Sequence, residues 1–301
     1  MRSGAKRWLL VALVAAAAVS YFSKHFNQYY LGIAIDVGIN VVLAVSLNLI
    51  NGHTGQFSLG HAGFMAVGGF AAAKLTLLGG DAWYPAALLV GGLAAALTGL
   101  AVGVPSLRLR GDYLAIVTLG FGEIIRVLFQ NSPFFGAATG LTGIPKLTTI
   151  FWTWGSAAVV VYVVACIVNS TYGRGFLCVH DDEVAASAMG VNPTRYKVTA
   201  FVIGAFFAGM AGALYAHHKR VLQPDSFNFL KSIDIVVMVI LGGMGRTAGV
   251  IVAAVLLTLL PEVLRGFADY RMIIYSLLII VLMMARPQGL FAFRRATRAG
   301  A

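Results

Sequence analysis

The sequence predicts an all-α bundle of membrane-spanning helices, on the evidence of its composition and of the spacing of its apolar stretches. Hydrophobic residues make up 59% of the 301 residues and charged residues only 11%, and the mean hydropathy is +0.85. A water-soluble fold of this composition would expose large apolar areas. Residues 1–301 are therefore predicted to form one polytopic membrane domain with about eight to ten crossings, since an apolar helix of roughly 20 residues spans the bilayer.

The candidate spans follow one another along the chain with short polar connections. They cover residues 8–22, 30–50, 63–78, 85–104, 113–129, 151–170, 198–217, 233–245, 250–264 and 272–285. The stretches on either side of residues 242–245 fall short of a full crossing, so they are either two spans or two half-helices that meet inside the bilayer. Small residues four apart, such as Gly204, Ala208 and Gly212, predict close packing between helices.

Four clusters of basic residues indicate the orientation. They are Arg2, Lys6 and Arg7; Arg108 and Arg110; Arg174, Arg195 and Lys197; and Arg286, Arg294, Arg295 and Arg298. If every candidate span crosses, all four clusters fall on one side, which the positive-inside rule assigns to the cytoplasm together with both termini. Lys219, Arg220, Lys231 and Arg271 would then lie outside. Because the net charge of +11 is spread over loops, no nucleic-acid partner is predicted.

The N-terminal segment has an alternative interpretation. A basic start followed by an apolar run that ends in alanines 15–18 also has the form of a cleaved secretory signal. Cleavage would place residues 171–197 outside, against the charge bias of the later loops. A retained first span is therefore the preferred interpretation.

Residues 171–197, called the elbow below, are the one long polar interruption. Asp181 or Asp182 is expected to cap a short helix, flanked by turns, which Gly190 ends in a left-handed conformation. Asn192 and Pro193 then begin the next span. Between these caps lie Val184, Ala185, Ala186, Ala188 and Met189. The exposed side of the helix is predicted to be small and apolar and to fit a groove on a soluble partner. The alternative is a loop that packs on its own bundle.

Two further groups of polar residues are predicted within the membrane. Asn48, Gln56, Ser58 and His61 lie in a glycine-dense passage that disfavours a regular helix, so they either line a polar pathway within the bundle or form a re-entrant structural turn. Glu123 and Arg126 lie three residues apart on one helix face and should pair with each other or line water. Neither a metal site nor a catalytic site is predicted, since His-Glu-x-x-His and Gly-x-Ser-x-Gly motifs are absent from the sequence.

Four segments in the same order resemble the LivM-type permeases of branched-chain amino acid ABC transporters. In chain order they read SLNLINGHTGQFSLGHAGF at 46–64, GDYLAIVTLGFGEIIR at 111–126, EVAASAMG at 183–190 and LGGMG at 241–245. The segment at 183–190 resembles the coupling loop of bacterial importer permeases, with an acidic residue and two alanines ahead of a glycine. The resemblance extends from about residue 30 to residue 290.

This resemblance implies a pore-forming subunit of the bacterial inner membrane. Its partners would be a homologous LivH-type permease, two cytoplasmic ATPases and a periplasmic amino-acid-binding protein, with membrane lipid around the bundle. The elbow would be the cytoplasmic coupling loop, with ATPase contacts carried by Asp181, Asp182, Glu183, Ala185, Ala186, Met189 and Gly190. The sequence has no Gly-x-x-x-x-Gly-Lys-Ser/Thr phosphate loop, so ATP and Mg²⁺ are expected on the ATPases and no cofactor is expected on this chain.

Two alternatives stay open. Relatives of this permease class also carry urea, short amides and other small carboxylates, and selectivity belongs largely to the external binding protein. Broken helices and charges within the bilayer would also suit a secondary transporter driven by ions. A secondary transporter would take up substrate without partner subunits, whereas an ABC permease alone should be inert.

Overall fold

The computed structural model describes residues 27–106, 112–267 and 270–285. Within these ranges the chain forms eleven α-helices. They are α1 (Gln28–Asn51), α2 (His61–Gly79), α3 (Tyr84–Ser106), α4 (Asp112–Asn131), α5 (Ile150–Val168), α6 (Thr171–Asp181), α7 (Glu183–Ala188), α8 (Pro193–Lys219), α9 (Phe229–Gly242), α10 (Thr247–Val263) and α11 (Arg271–Ala285). The all-α class is confirmed.

Nine of the ten predicted spans are helices, with bounds that shift by a few residues, and the candidate at 8–22 lies outside the described residues. By length and composition, seven helices of the described ranges are suited to cross a membrane: α1, α2, α3, α4, α5, α8 and α10. The 14 residues of α9 extend about 21 Å at 1.5 Å each, short of the roughly 30 Å hydrocarbon core. Of the four basic clusters, the elbow's alone lies within the described residues.

Helices α1 and α8 form the centre of the bundle. The apolar stretch of α1 from Val37 to Ile50 is buried on every side, as expected for a helix that is hydrophobic all round. Helix α8 packs on both α2 and α3 through glycines. A methyl group added at Gly68 of α2, or at Gly209 or Gly212 of α8, would overlap backbone atoms of the facing helix. Close approach through small residues is therefore confirmed for α8.

The glycine-dense passage is irregular, as predicted. Helix α1 ends at Asn51 with Gly52 as its C-cap, and residues 55–60 have no regular secondary structure before α2 begins at His61. Gly55 has φ +68°, a left-handed conformation that favours glycine. A second irregular point joins α9 to α10, where Gly243 and Gly245 also have positive φ.

Contacts between distant residues define the two ends of the bundle. At one end the C-terminal turn of α1 meets the α9–α10 turn, where the Gly245 N–H donates to Asn48 Oδ1 at 2.9 Å, and Gly55 lies against His180 of the elbow. At the opposite end Lys219, the last residue of α8, pairs with Asp36 of α1 at 2.8 Å. The elbow and the irregular passage therefore share one end.

Candidate functional site

The elbow contains two short helices, where the sequence analysis predicted one helix flanked by turns. The additional helix is α6, whose N-cap Ser170 accepts a hydrogen bond at Oγ from the Gly173 N–H at 3.2 Å. Gly173 and Gly175 disfavour a helix. Packing outweighs that preference, because Gly175 lets the ring of Tyr196 lie close and Phe176 is fully buried beside it.

Asp182 caps the second helix, α7. Its Oδ1 accepts hydrogen bonds from the backbone N–H groups of Val184 at 2.8 Å and Ala185 at 3.1 Å, an ordinary N-cap that satisfies free donors of the first turn. Asp181, the other candidate for the cap, is exposed and lies 3.2 Å from the ring of His180. The sequence left this choice open, and the structure selects Asp182.

The exit from α7 follows the predicted chemistry. Gly190 adopts φ +81° just after the helix, and the Val191 N–H donates to the Ala186 carbonyl at 3.0 Å. Asn192 then caps α8 by accepting at Oδ1 from the Arg195 N–H at 3.2 Å, with Pro193 as the first helical residue. The chain therefore turns sharply from α7 into the central helix α8.

Helix α7 has one face on the bundle and one face in solvent. Met189 and Val184 are 84% and 69% exposed, and Ala185 and Gly190 are exposed beside them. Ala186 is only 4% exposed, so it lies on the face of α7 that is turned to the chain's own bundle, and its predicted contact with an ATPase stays a prediction. The outward surface is apolar as predicted, but Val184 and Met189 make it larger than a surface of alanines.

A partly buried ion pair joins α7 to α8. Lys197 Nζ pairs with Glu183 Oε1, and the side chains are 9% and 28% exposed. Lys197 lies in the first turns of α8, and Glu183 is the first residue of α7. Glu183 was predicted to meet the ATPase, and in the structure its carboxylate instead faces the chain's own lysine.

The four polar residues of the irregular passage are buried together near the elbow. Asn48, Gln56, Ser58 and His61 are each 2% exposed or less. Ser46 Oγ lies 2.8 Å from His61 Nε2, and Gln56 Nε2 donates to Thr54 Oγ1 at 2.9 Å. Each of the four also has one buried polar atom without a protein partner. Such atoms are costly and typical of functional segments. Contact with the transport pathway stays a prediction.

This passage also forms hydrogen bonds with two neighbouring helices. The Leu59 N–H donates to Thr118 Oγ1 of α4 at 3.0 Å, and the Ala62 N–H donates to Ser232 Oγ of α9 at 3.1 Å. His53 lies in it, and burial, with a smaller effect of His180 in the elbow, lowers the pKa of His53 to about 4. The ring is therefore neutral at pH 7, and the passage joins the elbow to α4 and α9 without a buried charge.

Glu123 and Arg126 of α4 pair as their spacing predicted. Arg126 Nε donates to Glu123 Oε2 at 2.7 Å. Arg126 Nη1 also donates to Asp225 Oδ1 at 2.7 Å, and Glu123 Oε1 accepts from the Phe229 N–H at 3.1 Å. The network therefore ties α4 to the start of α9, and Asp225 is a member that sequence spacing could not identify.

Replacing Arg126 by methionine should destabilise the bundle by about 1 kcal/mol, because the half-buried carboxylate of Glu123 and the exposed carboxylate of Asp225 would lose their shared cation. The midpoint of thermal unfolding in detergent measures this. Lys146→Met, which removes an exposed lysine from the α4–α5 loop, is the control and should change the midpoint little. Equal effects of the two substitutions would contradict a special role for the network.

Within the described ranges, no three His, Cys, Asp or Glu side chains lie close enough together to hold a metal ion. His217 is buried and bonded to the Thr76 hydroxyl at 2.8 Å and to the Ala213 carbonyl at 2.8 Å. Cys166 and Cys178 are free and exposed. The candidate site consists of the exposed apolar face of α7 and the buried polar passage.

Comparisons with known proteins match nearly the whole described chain. The family model described as branched-chain amino acid transport system / permease component matches residues 29–285. The high-affinity branched-chain amino acid transport system permease protein LivM of Escherichia coli (strain K12) is 35% identical, over 96% of this chain and 76% of that protein. The matched residues include the elbow and the irregular passage.

Two weaker similarities accompany these. The LivH permease of the same organism is 26% identical over 40% of each chain. The solved structure of PsaBC from Streptococcus pneumoniae in complex with Fab superposes with a TM-score of 0.48 at 15% identity, over 86% of this chain and 92% of that one.

Proposed function

The chain belongs to the family of branched-chain amino acid transport permeases and is a multi-pass permease subunit of an ABC importer, and from this premise we propose the assembly in which it works. With a LivH-type permease it lines the path that carries branched-chain amino acids across the bacterial inner membrane. A periplasmic binding protein delivers the amino acid. Two cytoplasmic ATPases bind ATP and Mg²⁺ and drive the cycle, so this chain is not itself an enzyme.

The exposed apolar surface of the elbow is the observation that carries this proposal. Val184 and Met189 project from α7, which Glu183 and Lys197 tie to the central helix α8. A short helix with an apolar outer face suits a groove on a soluble protein. Movement of a bound ATPase would pass through α7 into α8, and from α8 into the helices packed on it. In this proposal the elbow and both termini lie in the cytoplasm.

The permease partner and the substrate are proposed from the relatives. Partial similarity to a LivH permease supports a homologous partner over a second copy of this chain. The names of the LivM relatives support branched-chain amino acids. Urea, short amides and other small carboxylates are the second candidates for the substrate, and the external binding protein is expected to make the choice among them.

Uptake of labelled leucine into proteoliposomes tests the proposal. The chain is reconstituted with its permease partner and two ATPases, and the binding protein and leucine are added outside while ATP is enclosed. We expect uptake that requires ATP and the binding protein, stops with vanadate and is indifferent to an uncoupler. The chain reconstituted alone should show none.

An opposite result would identify a different class of transporter. Uptake by this chain alone, abolished by an uncoupler and unaffected by ATP depletion, would make it a secondary transporter. ATP-driven uptake of urea or acetamide in place of leucine would keep the ABC assembly and replace the substrate.

A further inference from the structure

A cavity of about 320 Å³ lies between α1, α8, α9, α10 and α11 at the end of the bundle opposite the elbow. Its walls combine charged and apolar side chains. Ile39, Met238 and Leu257 form apolar walls and are almost completely buried. The volume falls within the range of small-molecule sites.

Two opposite charges on one helix face this cavity. Lys231 and Asp234 lie three residues apart on α9 and both line the cavity, so they share a face of the helix. They form no ion pair with each other or with another of the described residues. Lys231 Nζ has a long hydrogen bond of 3.4 Å to Asn40 Oδ1.

The other charged pair of the cavity is already neutralised. Asp36 Oδ2 accepts from Lys219 Nζ at 2.8 Å. Asn40 is held by donating at Nδ2 to Thr258 Oγ1 at 2.9 Å. Lys231 is half-buried and Asp234 is exposed. One cation and one anion without a direct ion pair therefore face the same space, where a ligand that carries both charges would pair with each of them.

We propose that this cavity binds a free zwitterionic α-amino acid, whose carboxylate meets Lys231, whose ammonium group meets Asp234 and whose apolar side chain packs against Ile39 and Met238. This inference rests on the proposed function and assigns residues of this chain to the substrate. A ligand with one charge would leave either Lys231 or Asp234 without a partner. The site therefore discriminates zwitterions from monoacids and amines.

Protection of a cysteine placed in the cavity tests the proposal. In the assembled transporter in detergent, with Cys166 and Cys178 replaced by serine, Thr258→Cys is introduced on the cavity wall. Its rate of modification by a charged methanethiosulfonate reagent is measured against leucine concentration. The matched control is Leu259→Cys, the neighbouring residue, which lines a separate groove with Tyr30 and Trp154.

We expect leucine to slow modification at Thr258→Cys and not at Leu259→Cys. Isopentylamine and 4-methylpentanoate, which each lack one of the two charged groups, should need at least about tenfold higher concentrations, the equivalent of 1.4 kcal/mol. Adding Asp234→Asn or Lys231→Met should raise the half-protecting leucine concentration to a similar extent.

The site would be overturned if leucine protected Thr258→Cys equally well with and without Asp234→Asn. It would also be overturned if leucine gave Thr258→Cys no protection when Lys231 and Asp234 are both present. Protection by phosphatidylethanolamine but not by leucine would also overturn it and assign the cavity to a lipid headgroup. The proposed function has a separate test. If the transporter without substitutions shows no ATP-driven leucine uptake, that function is refuted, whether or not leucine protects the cavity.

Discussion

Met189→Asp is expected to abolish ATP-driven uptake while the permease stays folded in the membrane. Met189, the C-cap residue of α7, is 84% exposed, so an aspartate there is solvated in the free subunit and costs little stability. In the assembled transporter the same charge would enter an apolar contact without a partner. Truncation of a central interface residue alone costs about 2 kcal/mol or more, and a buried unpaired charge adds to that.

The chain provides a matched control for this substitution at the same end of the bundle. Met244 lies in the α9–α10 turn and is 53% exposed, and Met244→Asp makes the same chemical change outside the elbow. We expect it to retain uptake. Co-purification of the ATPases should be lost with Met189→Asp and kept with Met244→Asp. Normal uptake and normal ATPase binding by Met189→Asp would refute docking through the elbow.

Local signals in the sequence were sufficient to predict where α7 begins and ends and where α8 begins. Asp182, Gly190 and Asn192 act through atoms within three residues of themselves, so their roles can be predicted without knowledge of the fold. Helix α6 was missed for the opposite reason. Its glycines argue against a helix locally, and the packing of Phe176 on Tyr196 that stabilises it depends on α8, about 20 residues further along the chain.

The same distinction applies to the candidate site. The pairing of Glu123 with Arg126 follows from helix periodicity, whereas Asp225 joins them from 99 residues away. The burial of Ala186 could not be predicted either, because an alanine in a short helix has no local preference for either face. In the sequence, Lys231 is only one of the basic residues on the predicted outer side, against the positive-inside rule. Its cavity could not be predicted, because residues of five separate helices form the walls.

The final expectation concerns the ion pair that joins α7 to α8. Lys197→Met should destabilise the subunit by about 3 kcal/mol, the low end for breaking a buried pair, because Glu183 keeps part of its exposure. The double substitution Glu183→Gln with Lys197→Met leaves no unpaired charge and should restore most of the stability. Arg195→Met, which removes an exposed cation two residues away, is the control and should stay near the wild-type midpoint.

The double variant separates folding from transmission of force. Ala186 still seats α7 on the bundle, so the ATPases should bind, but the polar link that fixes α7 to the first turns of α8 is gone. We therefore expect ATP hydrolysis to continue with several-fold less leucine taken up per ATP, measured in the same proteoliposomes. Wild-type uptake per ATP in the double variant would show that the pair only stabilises the fold, and the path of coupling into α8 would then have to run through the packing of Ala186.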